Sequence, residues 1–121
     1  MLEFAIVGPV LLTILLGVVE MGRMFYIRHA LEYATGEAAR YYMIHPTATQ
    51  DAVTAALRAA MAGGMGASIS TPTYVDTTSC NGNAAVICTS ITATYNYTPI
   101  AAFLKLGSPA LTARAQAVRL L

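Results

Sequence analysis

FAIVGPVLLTILLGVV, Phe4 to Val19, is an apolar run bounded by Glu3 on one side and by Glu20 and Arg23 on the other. At 1.5 Å per residue a helix over this run covers about 24 Å, a little less than the roughly 30 Å hydrocarbon core of a bilayer. With Met1, Leu2 and Met21 added it is just long enough to cross one. The helix does not stop there. Met24, Phe25, Ile27, Leu31, Ala34, Ala38 and Tyr41 carry an apolar stripe onward at three- and four-residue steps, the period of one helix face. A single helix is therefore expected over about residues 1–45, with its apolar part over 1–22, and such a rod would be roughly 65 Å long. The run lacks the basic n-region, short core and small-residue cleavage site of a signal peptide. The alternative of a buried core helix needs more protein than this chain has to surround a helix that is apolar on every side.

Composition places one small domain behind this helix. About a hundred residues remain, enough for one modest core. The formal charge is +1 and only 11% of residues are charged, so nothing favours a nucleic acid or an anionic membrane surface as partner. Cys80 and Cys88 flank the turn signal Asn81-Gly82-Asn83, which folds two extended segments back and brings the sulfurs together. A disulfide is expected, and with it export to an oxidising compartment. Two cysteines without a nearby histidine are too few for a zinc site.

The head, residues 46–121, reads in short pieces. Pro46 ends the long helix. Thr47 and Gln50 have capping-box spacing, Asp51 suits a first turn, and Val53, Leu57, Ala60 and Met61 form a stripe ending at Gly63-Gly64, predicting a short helix over 47–62. From Ala67 the period becomes two, and a strand is expected over about 67–76, at a sheet edge because of Pro72. A second strand over 86–98 puts Ile91, Ala93, Tyr95 and Tyr97 on one face, and a third is expected over 110–120, with a loop or helical turn between. The predicted class is α+β: a long apolar helix, a short helix and a small antiparallel sheet.

Other residues are read structurally. Glu20 with Arg23, Arg28 with Glu32, and Glu37 with Arg40 are spaced to pair within the helix. His29 and His45 are too far apart to chelate together, and most of the seven tyrosines are expected at the helix–sheet interface. Asn96-Tyr97-Thr98 fits an N-glycosylation pattern of low specificity. No nucleophile–base pair, phosphate loop or metal cluster is legible, so no enzyme activity and no cofactor are expected.

Leu2-Glu3-Phe4-Ala5-Ile6-Val7-Gly8-Pro9-Val10-Leu11-Leu12, followed by Gly17-Val18-Val19-Glu20-Met21-Gly22-Arg23-Met24-Phe25-Tyr26, resembles the N-terminus of TadE-like (tight-adherence) pilins and pseudopilins. Ile91 to Ile100 and Leu111 to Arg119 are similar to that family's C-terminal hairpin. The resemblance implies the type IV filament superfamily, whose subunits sit in the inner membrane, are trimmed by a prepilin peptidase and pack through their N-terminal helices into a helical fibre. It implies partners in other pilins, further copies of this chain and the Tad assembly machinery, and a final place at the cell surface. Phe4, Ile6, Val7, Leu11, Leu12, Leu15, Leu16 and Gly17 would then pack in the filament core. Glu3 corresponds to the superfamily's acidic residue, two positions earlier than its usual fifth place. A carboxylate at the hydrocarbon edge costs about 2.5 to 3.5 kcal/mol on insertion scales. A neighbouring subunit's terminal amine would offset that cost and set the axial register. Pro9 removes the amide that would bond Ala5, so a kink is expected at Gly8-Pro9. Three roles fit: a structural subunit of an adhesive pilus, a minor pseudopilin that primes or caps a pilus of another subunit, and a single-span anchored binding domain.

Overall fold

The arrangement is α+β, as hydrophobic periodicity predicts: a long apolar helix, a short second helix and a three-stranded antiparallel sheet. The computed structural model describes residues 2–78, 80–100 and 107–120. The side chain of Glu3 and the loop or turn expected within 101–106 lie outside the described residues. Helix α1 (Leu2–Ile44) runs 43 residues without interruption through Pro9. It is followed by α2 (Gln50–Ala60), a 3-10 segment (Ala62–Ser68), β1 (Thr73–Thr78), a 3-10 turn (Cys80–Gly82), β2 (Val86–Asn96) and β3 (Ala110–Leu120). The three strands form one antiparallel sheet in the order β1-β2-β3.

Several boundaries differ from the sequence reading: the second strand, expected over 86–98, ends at Asn96, and the short helix and the first strand shift at both ends. The short helix predicted over 47–62 starts at Gln50, because the Ala48 amide first closes a turn on the His45 carbonyl at 3.0 Å. Its cap is Thr49, whose Oγ1 accepts from the Ala52 amide, and Thr47 does not cap it. The helix ends at Ala60, two residues before the predicted end, because Met61 turns extended with φ of −72° and ψ of 122°. Gly63 and Gly64, inside the 3-10 segment that follows, take φ of 66° and 73°, a left-handed backbone that glycine adopts without steric cost. The strand predicted over 67–76 is β1 at Thr73–Thr78, preceded by a single bridge from Ile69 to Tyr95. Pro72 cannot donate to a ladder, and the residues before Ile69 are still in the 3-10 segment. That segment presses so closely on α2 that a Cβ at Gly66 would lie 2.4 Å from the Arg58 carbonyl oxygen.

The core lies between the second half of α1, α2 and one face of the sheet. Ile27, Leu31, Ala34, Ala38 and Tyr42 of α1 meet Val53 and Leu57 of α2 and Ile91, Ala93 and Tyr95 of β2. Ala113 and Ala117 of β3 complete it, and α1 packs mainly on β3 and α2. Small side chains on both α1 and β3 let helix and strand approach closely. On β1 it is Tyr74 that turns inward, its hydroxyl 2.8 Å from Thr54 Oγ1, while Val75 faces solvent. Tyr26 and Tyr33 also face solvent, outside the interface expected for most tyrosines.

Arg119 ties the far end of the head together. It donates to the Pro46 carbonyl, to Thr89 Oγ1 and to Asp76 Oδ1, and its guanidinium lies 4.2 Å from the centroid of the Tyr42 ring.

Cys80 and Cys88 are disulfide-bonded across the β1–β2 turn, with Cα atoms 5.5 Å apart. Asn83 Oδ1 accepts from the Ala85 amide inside that turn, and Gly82 takes a φ of 80°. Closing so short a loop is expected to stabilise the folded head by about 2 to 3 kcal/mol. Urea unfolding with and without reductant should show that difference. Protease sensitivity should rise first at the 80–88 turn, and an unchanged midpoint would contradict the assignment.

Candidate functional site

The first turns of α1 carry apolar side chains that the head does not cover. Phe4, Ile6, Val7, Leu11, Leu12, Leu15 and Leu16 are all exposed, from 85% at Phe4 to 42% at Leu16. Gly8 is half-buried and Pro9 exposed, and Thr13 Oγ1 donates to the Pro9 carbonyl at 2.8 Å. Gly17, placed by the sequence with the filament-core residues, is half-buried and lines a cleft between α1 and the head. So large an apolar surface stays in water only at high cost, and a stem of this kind marks a surface that something else covers.

The stem meets the head at Glu20. The sequence pairs this residue with Arg23, and the structure corrects that reading. Glu20 is only 7% exposed, and its Oε1 accepts from the Tyr97 hydroxyl and from the Ile100 amide, each at 2.8 Å. Arg23 instead donates to the Thr98 carbonyl, and its guanidinium lies 5.2 Å from the centroid of the Tyr97 ring. Two neighbouring turns of α1 thus clamp residues 97–100, and each hydrogen bond involving a charged group is stronger than a neutral one. The other two pairs form as spaced, Arg28 with Glu32 at 3.1 Å and Glu37 with Arg40 at 4.0 Å. Both are solvent-exposed and contribute little.

Burial raises the pKa of the Tyr97 phenol, and its hydrogen bond to the Glu20 carboxylate raises it further. A raised phenol holds its proton longer in the folded state than in the unfolded chain. The stability it contributes is intact below the ordinary phenol value of about 10 and is lost as pH rises beyond it. Urea midpoints should therefore hold steady up to about pH 10 and fall above it. Tyr97→Phe should make that fall shallower, and an equally steep fall in the variant would contradict the account.

Among the described residues no group of three or more His, Cys, Asp or Glu could hold a metal ion. His29 sits 3.7 Å from a Glu32 oxygen and His45 stacks against Tyr41. Stem, clamp and head together make a pilin-like α+β arrangement, and among the described residues one helix, α1, is long and apolar enough to cross a membrane. Residues 1–40 are similar to the family whose model is described as TadE-like protein, a match that takes in the stem, Glu20 and Arg23. No curated protein and no solved structure matches the chain.

Proposed function

We propose that this chain is a structural subunit of a Tad-type pilus. It is held in the inner membrane by α1 before assembly and then packed through α1 against other copies, with the head facing outward for surface attachment. The observation that carries this reading is the exposure of the apolar stem from Phe4 to Val19, a surface that a bilayer covers first and neighbouring stems cover afterwards. Glu3 sets axial register by meeting a neighbour's terminal amine, Gly8-Pro9 is where the stem bends to pack, and a prepilin peptidase and the Tad assembly machinery are the processing partners. The chain does no chemistry of its own in this reading.

Electron microscopy of material sheared from cells, with mass spectrometry of its dominant protein, tests the proposal. Fibres made mainly of this chain are expected. Fibres holding only traces of it would overturn the structural role in favour of a priming or capping pseudopilin. Glu3→Ala should lower fibre yield several-fold while the exported head keeps its disulfide and its urea midpoint. Wild-type yield from that variant would refute the register role.

A further inference from the structure

The apolar run and the head overlap along α1. From Phe4 to Thr13 the helix is clear of the head, a length of about 15 Å, half of the roughly 30 Å hydrocarbon core. The next turns are not clear. Ile14, Val18 and Met21 form one wall of an apolar cleft, and Pro99 and Pro109 of the head stand on the other. Immersing all of Phe4 to Val19 therefore carries this end of the head down to the membrane edge.

That end is built for such a place. Ile100 is 72% exposed, yet its amide is satisfied by Glu20, so it presents an apolar side chain without an unpaired backbone donor. The Glu20 carboxylate is turned into the head, and the Arg23 guanidinium is held on the Thr98 carbonyl. The two charges nearest the boundary are thus engaged internally, as groups close to hydrocarbon must be. One to two turns beyond Glu20, Phe25 and Tyr26 of α1 are also exposed, and aromatic side chains favour the headgroup level.

We infer that the lower end of the head is a lipid-binding surface. Pro99, Ile100 and Pro109, with Met21 of α1, seat in the headgroup and upper acyl region of the bilayer before assembly and fix how the head stands on the membrane. The inference rests on the reading of α1 as a membrane anchor. Its occupant is lipid because the cleft is continuous with the face of Ile14 and Val18 that the anchor presents to acyl chains.

The chain contains no tryptophan, so single-tryptophan variants report depth without background. Ile100→Trp, Val18→Trp and Val75→Trp, the last on the outward face of the sheet, are reconstituted as full chains. The vesicles are phosphatidylcholine, plain or brominated near the top of the acyl chain. I100W fluorescence is expected to be blue-shifted relative to V75W and quenched by the brominated lipid to within about twofold of V18W. V75W is expected to stay unquenched. Quenching of V18W with an I100W signal like that of V75W would overturn the inference and leave the anchor intact. No quenching of V18W would overturn the anchor and the inference together. A blue-shifted but unquenched I100W signal that grows with protein density would overturn lipid as occupant in favour of a second copy.

Discussion

Ile91→Ala is expected to destabilise the head by about 2 to 5 kcal/mol, the cost of lost burial plus an unfilled cavity in a core. Ile91 is fully buried at the centre of β2, the strand that pairs with both others. It belongs to the same buried cluster as Leu31 of α1 and Leu57 of α2. A head of this size has little stability to spare, and the variant should be partly unfolded at ambient temperature. Urea unfolding in detergent, followed through the tyrosine signal, measures the loss. The stem should remain helical throughout, because none of Phe4 to Val19 contributes to that core. A loss below about 1 kcal/mol would mean that the head is not organised around this contact.

The second large effect is expected at Glu20→Ala, about 3 kcal/mol, because it removes two charge-assisted hydrogen bonds and leaves a buried hydroxyl and an amide without an acceptor. The loss should be specific. Glu20→Gln keeps an acceptor oxygen and should cost less, and Glu20→Ala combined with Tyr97→Phe should cost less than the sum of the two changes, since the two groups share one contact. Cleavage after residue 97 by added protease should rise in Glu20→Ala before cleavage of β2 does. Additive losses would show that Glu20 and Tyr97 act separately.

The long helix and the sheet were legible because their periods are unmixed. The stripe from Met24 to Ala38 has the helical step, and Ile91, Ala93, Tyr95 and Tyr97 alternate without a break; all four are buried. The region from Pro46 to Thr78 was less legible because its boundaries depend on local competition. The Ala48 turn displaces the cap from Thr47 to Thr49, and the 3-10 segment consumes residues that alternation assigns to a strand. The clamp is hidden in the sequence for a different reason. Glu20 and Tyr97 are 77 residues apart, and the three-residue spacing to Arg23 offered a local partner first. A signal was nonetheless present, since Glu20 falls on the stripe of Met24, Ile27 and Leu31. An acidic residue on an otherwise apolar face needs a buried donor. Tyr97, next in the inward alternation of β2, supplies one.

In the proposed assembled state the exposed stem is covered by the stems of other copies. Photo-crosslinking in fibre-bearing cells tests it most directly, with a photoreactive residue placed in turn at Phe4, Val7, Leu11 and Leu15 and, as a control, at Val75. Covalent dimers and higher ladders of this chain from the stem positions, and none from Val75, are predicted. Stem positions that yield no adduct with another copy of this chain while fibres are present would contradict the claim.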